Sequence, residues 1–309
     1  MAERYHVCLV WTKVKTLRVG ALLLAILAAA CGKGSPTSPA PRGDGEPPMG
    51  SRTAVLIGAG DLGICGESAP AIVGRLLQST LGEVFLAGDN AYPHGSAANY
   101  RDCFEPFFGH ARDRWHPVPG NHEYESANAA PYFQYFGAAA GNPSLGFYRF
   151  IAGEWLVLML NSEIAAGPGS PQYAFVRESH QGRSFRCQMA IWHRPLFTSG
   201  PNGPWPPMRE LWRLLDDHDV DVIVNGHEHF YERFSRQDAD GRADANGIRE
   251  FIVGTGGAPL YSFVRQTPNS STRIASHGIV RFTLRPDEYD WEFLDISGSL
   301  GDSGSTPCH

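Results

Sequence analysis

No lysine- and arginine-rich run interrupts these 309 residues, and the formal net charge is -6 at pH 7. A nucleic-acid surface needs the opposite balance, so that class of partner is set aside. Any phosphate-bearing ligand would have to be attracted locally rather than by the field of the whole protein. No apolar stretch is long enough for a permanent membrane span, which takes roughly 20 residues. No internal repeat is present. Charge is sparse at 19% against 42% hydrophobic residues, which excludes disorder over most of the chain and allows a full core. The length admits one large domain or two average ones.

The N-terminus reads as a targeting segment. Lys13, Lys15 and Arg18 precede a short apolar stretch at 21–30, and Ala28, Ala29 and Ala30 lead into Cys31 and Gly32. This resembles the lipobox of a bacterial lipoprotein, with Ala28 where leucine is usual. The expectation is a signal peptide over 1–31 with Cys31 as a lipid anchor, the only membrane attachment, and a soluble exported protein as the alternative. Residues 32–52 are rich in Pro, Gly and Ser and read as a flexible linker. The folded domain is expected over 53–309, in the periplasm or cell envelope, or secreted.

Export gives the cysteines a meaning. With Cys8 removed and Cys31 assigned to lipid, Cys65, Cys103, Cys187 and Cys308 remain, an even number in an oxidising compartment. Three pairings are open. Cys65 with Cys103 is favoured because both follow loop motifs that must converge, leaving Cys187 to pin the tail through Cys308. Buried free thiols are the alternative.

Apolar runs at 53–59, 83–87, 115–119, 186–192 and 220–224 read as strands, with a hairpin at 146–151 and 155–160. Helices are expected from Ser68 through Gln78, over 171–180 and over 205–217. Beyond residue 249 the pattern turns to strands at 251–253, 260–264, 279–284 and 289–294. The order is that of an α/β fold.

Each of five clusters of polar side chains follows one of these strands. They are Gly60-Asp61-Leu62-Gly63, Gly88-Asp89-Asn90-Ala91-Tyr92, Gly120-Asn121-His122-Glu123, Trp192-His193-Arg194-Pro195 and Gly226-His227-Glu228-His229. Open α/β sheets collect their sites beyond the carboxyl ends of strands. Singly, each has a duller meaning. Gly-Asp pairs are turns, Tyr92 is packing, and His122 or His193 alone is a core histidine. Gly58 to Gly63 also fits a dinucleotide loop, but Asp61 would set a negative charge against the pyrophosphate, and the downstream acidic residue is poorly matched, since Glu83 opens the next strand and Asp89 lies well past the spacing. Together the clusters supply two carboxylates, a phenol, a carboxamide and three or four imidazoles, enough to hold two metal ions. Asp89 and Tyr92 share a loop three residues apart, so one can bridge two ions while the other caps one. The neutral oxygen of Asn121 suits a divalent ion already facing a carboxylate. His227 and His229 would share one face of a strand, and a turn after Gly226 re-aims them at adjacent ions.

In this order the motifs resemble the calcineurin-like metallophosphoesterase superfamily, and most of all its purple acid phosphatase branch, whose set is GDxG, GDxxY, GNH(D/E), VxxH and GHxH. Tyr92 is the branch-specific element, Tyr231-Glu232-Arg233 is similar to the branch, and Ala190 stands where the fourth motif has valine. The resemblance implies a four-layer α/β sandwich, two β-sheets face to face with helices outside. It implies an Fe(III) site of Asp61, Tyr92 and His229, a site for divalent Zn, Mn or Fe made by Asn121, His193 and His227, and Asp89 bridging the two. It further implies cleavage of small phosphate monoesters by attack of a metal-bound hydroxide. Many members carry another histidine several residues after the fourth motif. Residues 196–202 contain none, which leaves His122 as the expected proton donor. A phosphodiesterase with the same metal core, or a non-catalytic exported metal-binding module, stands as the alternative.

Overall fold

Thirteen strands account for the core of the computed structural model, which describes residues 53–182 and 184–309. The expected signal segment, Cys31 and the linker 32–52 lie outside the described residues. The strands are β1 (Ala54–Ala59), β2 (Glu83–Ala87), β3 (Trp115–Val118), β4 (Tyr148–Ala152), β5 (Trp155–Met159), β6 (Gln188–Ile191), β7 (Val222–Asn225), β8 (Tyr231–Phe234), β9 (Arg249–Val253), β10 (Ser270–Ile274), β11 (Gly278–Leu284), β12 (Glu288–Asp295) and β13 (Leu300–Pro307). One sheet runs β13-β12-β11-β1-β2-β3 and the other β10-β8-β9-β7-β6-β5-β4. Both are mixed. The strands β1, β2 and β3 are parallel, as are β5, β6, β7 and β9, while hairpins close the flanks.

Alternation along the strands builds four layers. In β5, Trp155, Val157 and Met159 point between the sheets, where they meet Leu56, Phe85, Val224, Phe251 and Phe282. Leu156 and Leu158 face the other way, onto Val176 of the helix Pro171–Ser179 and onto Leu211, Trp212 and Leu215 of the helix Arg209–Asp216. Ile57, Val84 and Leu86 carry Val73 and Leu77 of the helix Ala69–Ser79 on the outer face of the first sheet. With apolar cover on both faces, the parallel strands read as continuous apolar runs. The expected two-sheet sandwich flanked by helices is therefore what folds.

Three local expectations change. Ser68 precedes the first helix but makes no side-chain capping bond; Pro70 in the first turn fixes the start instead. Residues 260–264 form no strand. Tyr261 N donates to His229 O, Val264 N donates to Ser199 O, and the rings of Tyr261 and Phe263 pack on Phe230, Phe234 and Ile252, so the backbone follows the site loops rather than a sheet. The strand β13 has the composition of a loop and pairs along β12 because Gly304 leaves room for Trp291 and Tyr231 fastens Asp302.

Both favoured disulfides form. Cys65–Cys103 ties the loop after β1 to the turn Tyr100–Phe104, and Cys187–Cys308 ties the start of β6 to the end of β13. Each such link is typically worth about 2–4 kcal/mol and belongs to an oxidising compartment. Among the described residues no helix is long and apolar enough to cross a membrane.

Candidate metal centre

The carboxyl ends of β1, β2, β3, β6 and β7 meet between the two sheets, and each delivers one motif. The loops are zipped together by backbone bonds: Gly60 N to Val253 O, Asp61 N to Gly88 O, Leu62 N to Asp89 O and Gly226 N to His193 O, at 2.8–3.0 Å. Close approach is obligatory at Gly226, where a Cβ would stand 2.5 Å from Ala87 O and 2.7 Å from Asp61 Oδ2. Asp61, Asp89 and His227 adopt left-handed backbone angles, with φ of 60°, 48° and 71°. Such conformations cost free energy in non-glycine residues and gather at functional sites.

Two groups of side chains result. In the first, Tyr92 Oη lies 2.8 Å from Asp61 Oδ1 and 3.1 Å from His229 Nε2, which is 3.2 Å from the same Asp61 oxygen. In the second, His193 Nε2 lies 3.2 Å from Asn121 Oδ1 and 3.2 Å from His227 Nδ1. Asp89 Oδ2 reaches both groups, 3.2 Å from Tyr92 Oη and 3.1 Å from His193 Nε2. The remaining carboxylate oxygens are spent on orientation: Asp61 Oδ2 accepts from His227 N at 2.7 Å and Asp89 Oδ1 from His122 N at 2.9 Å. All seven residues expected to ligate are thus brought together.

The donor set fits cations. His193 Nδ1 donates to Ala87 O and His229 Nδ1 to Pro259 O, both at 2.8 Å, which aims Nε2 of each ring inward. Those nitrogens stand among carboxylate, carboxamide and imidazole groups, with the Tyr92 hydroxyl donating to Asp61 Oδ1. Electrostatics says the same. Burial alone would depress the His193 imidazole, yet the Asp89 carboxylate beside it, with Asp61 beyond, pushes it up to about 10. Burial opposes ionisation of Asp89 and Asp61 as well, but His193 and His229 respectively hold them below the usual carboxylate range. His227, buried and next to His193, is pushed down to about 3, and burial together with Asp61 and Asp89 raises Tyr92 well above its ordinary value. A proton on His193 is what the metal-free protein uses where positive charge is demanded. Asp89, His193 and His227 alone offer three ligand atoms within 4.8 Å of one another.

His122 stands at the rim, partly exposed, with Nε2 3.8 Å from Asp89 Oδ2 and its ring 4.5 Å from that of Tyr92. His94, two residues after Tyr92, pairs with Glu125 at 2.5 Å. The segment 196–202, which lacks a histidine, brings Asn202 instead, whose Nδ2 donates to His227 O at 3.0 Å. His227 differs from the other two imidazoles. Its outer nitrogen faces Arg194 Nη1 at 3.2 Å, and that guanidinium is fixed by Glu163 at 3.0 Å and lies over the Trp205 ring.

The motif reading missed four buried glutamates that hold the loops. Glu123 accepts from Asn90 N, Gly120 N and Tyr100 Oη at 2.8–3.0 Å; Glu228 from Gly203 N; Glu232 from Ser199 N, Ser199 Oγ and Ser270 Oγ; Glu250 from Leu196 N and Phe197 N. Glu123 and Glu228 sit inside quoted motifs, and Glu250 immediately precedes the apolar run Phe251–Val253. A lone carboxylate at such a place was the available signal.

Comparison with known proteins agrees with this architecture. Residues 56–231 match the family model of the calcineurin-like phosphoesterases. The chain is 25% identical over 235 residues to purple acid phosphatase 15 of Arabidopsis thaliana, covering 64% of this chain and 44% of that protein. It is 29% identical over 178 residues to the uncharacterized protein Rv2577 of Mycobacterium tuberculosis, covering 48% and 34%. The chain therefore spans less than half the length of these curated relatives. Among solved structures, purple acid phosphatase PPD1 from yellow lupin superposes with a TM-score of 0.74 at 20% identity, over 84% of this chain and 54% of that one. GAP50, titled the anchor in the inner membrane complex of Plasmodium, superposes with a TM-score of 0.65 at 11% identity, over 83% and 89%. These likenesses show the fold, and the family match spans more than half the sequence: the chain belongs to the calcineurin-like phosphoesterase family.

Proposed function

We propose that this protein hydrolyses small phosphate monoesters at a two-ion centre. Asp61, Tyr92 and His229 would hold Fe(III), Asn121, His193 and His227 would hold divalent Zn, Mn or Fe, and Asp89 would be shared. The observation that carries this reading is Asp89 Oδ2, within 3.2 Å of a member of each group. When bound, the ions supply Lewis acidity and an activated water. The chain's own residues do the rest. Asp61 and Asp89, each anchored by a backbone N–H, fix the ligand geometry before substrate arrives. His122 presents Nε2 from the rim and gives a proton to the departing alkoxide, a role worth roughly 10²–10⁴-fold. Asn202 and Arg194 flank the opposite side. The signal segment would direct export, and a lipid on Cys31 would hold the enzyme at the cell envelope.

The test is metal analysis with a visible spectrum, followed by rates on nitrophenyl phosphate and on bis(nitrophenyl) phosphate. Two ions per chain, a tyrosinate-to-iron band lost in Tyr92→Phe, and faster monoester turnover are expected. A preference for the diester would reassign the substrate class. A metal-loaded protein without turnover on either ester would leave a binding module.

A further inference from the structure

The helix Asn121–Glu125 ends on a carboxylate that no motif uses. Glu125 lies three residues after His122, on the same helix face, and its Oε1 is 3.1 Å from His122 Nδ1. The same nitrogen is 2.5 Å from Pro93 O, so its proton points away from the metal centre and Nε2 points toward it. The other carboxylate oxygen of Glu125 meets His94 Nδ1 at 2.5 Å, and Ser126 Oγ donates to His94 O at 2.8 Å. The loop 93–95 is pressed onto the helix to make these contacts. Gly95 has φ of +54°, and a Cβ there would stand 2.6 Å from Glu123 Cα, so only glycine lets the loop lie so close.

We propose that Glu125 is a positioning residue that clamps His122 for proton delivery, with His94 steadying Glu125 from the solvent side. The clamp rests on the reading of His122 as the leaving-group acid. Three contacts fix the ring: Glu125 and Pro93 O at Nδ1, and the Tyr92 ring against its face. Pro93 O alone tolerates rotation about a single hydrogen bond. The Glu125 carboxylate, an ion-pair neighbour of Nδ1 rather than its hydrogen-bond acceptor, adds a charged contact that selects one orientation of the doubly protonated ring. Its Nε2 proton passes to the alkoxide while the Nδ1 proton stays directed at Pro93 O. The bland alternative is an exposed ion pair of little consequence. Its exposure helps the test, because truncating Glu125 leaves no buried group unpaired and the variant should fold.

The experiment is a double-mutant cycle on the metal-loaded protein with Glu125→Ala, His122→Ala and both together, using nitrophenyl phosphate and an alkyl phosphate. Glu125→Ala should lower kcat roughly tenfold on the alkyl ester and far less on the nitrophenyl ester, with KM and metal content unchanged. In the His122→Ala background it should change nothing further, since the two residues act as one unit. Glu125→Gln, which keeps the shape of the side chain but not its charge, should recover little of the loss. Additive losses, or equal losses on the two esters, would overturn the clamp. A readout independent of turnover is the Nδ1–H resonance of His122 in zinc-loaded, ¹⁵N-histidine protein, expected to move upfield in Glu125→Ala. Were the wild type to hydrolyse no ester, the proposed function would fall while this resonance still decided the clamp, an unmoved signal refuting it.

Discussion

Two buried polar regions lie back to back in this protein and are balanced in opposite ways. At the metal centre, lone pairs of Asp61, Asp89, Asn121, His193, His227 and His229 converge on one another. Behind it, Glu123, Glu228, Glu232 and Glu250 turn carboxyl oxygens toward backbone N–H and hydroxyl donors of the very loops that carry the ligands. Burial pushes Glu123 up to about 8 and Glu228 up to about 7, and it raises Glu250 well above the ordinary range. Those groups can meet the cost of burial by keeping a proton. The first region carries the proposed cation ligands, whereas the second spends its carboxyl oxygens on loop donors, save Glu228 Oε2 and Glu250 Oε2, which have no hydrogen-bond partner among the described residues. The loops are therefore shaped by the glutamates, and the ligands are presented on them ready-made.

Asp89→Ala should break this arrangement most. It removes the one carboxylate common to both ligand groups, so both ions should be lost on dialysis. Forfeiting several kcal/mol of charge stabilisation corresponds to a fall of roughly 10³-fold or more in turnover. The metal-free variant should also be less stable than the metal-free wild type, because His193 and the His122 N–H lose the buried carboxylate they face. Metal analysis and urea midpoints check both statements; retained ions would mean that the two groups bind independently.

Chelation should separate the regions next. Ligand held at about 100 times its dissociation constant adds about 2.7 kcal/mol of stability, which chelator removes. Hydrogen exchange should rise at 60–63 and 226–229, while the Ser199 and Asn90 amides, held by Glu232 and Glu123, keep their protection. Uniform deprotection would show that the glutamate layer depends on the ions.

The ligand region was the legible one in the sequence. Metal chemistry restricts residue type, so Asp61, Asp89, Tyr92, Asn121, His193, His227 and His229 announce themselves after apolar strands. The α/β class followed from the same strands, the two-sheet sandwich from the family resemblance that the motifs carry, and the Cys65–Cys103 pairing from the need of loops to converge. The glutamate layer was silent because a carboxylate that accepts backbone N–H groups needs no partner of a special type. Tyr231-Glu232-Arg233 shows the difference. The motif is visible, yet its task appears only in space: Glu232 holds Ser199, while Tyr231 and Arg233 fasten Asp302 at 2.7 Å. The strand β13 and the irregular course of 260–264 were hidden for the same reason, since packing rather than local propensity sets them.

Glu250→Gln gives the smallest effect and the sharpest view of the glutamate layer. Burial holds this carboxyl well above its ordinary value of 4.5, partly offset by the Phe197 and Leu196 N–H groups. As pH rises past the ordinary value, the unfolded chain releases the proton and the folded protein keeps it. Stability then falls with rising pH, by up to about 1.4 kcal/mol per unit, until the folded value is reached. Glutamine cannot ionise but still offers an oxygen to the same two N–H groups, so this slope should vanish. Relative to wild type, the variant should gain stability between about pH 5 and pH 8, as read from urea midpoints. Contributions common to both proteins, including titration at the distant ligands, cancel in the difference. An unchanged difference across that range would mean that Glu250 ionises in the folded protein and that the layer behind the metal centre carries charge after all.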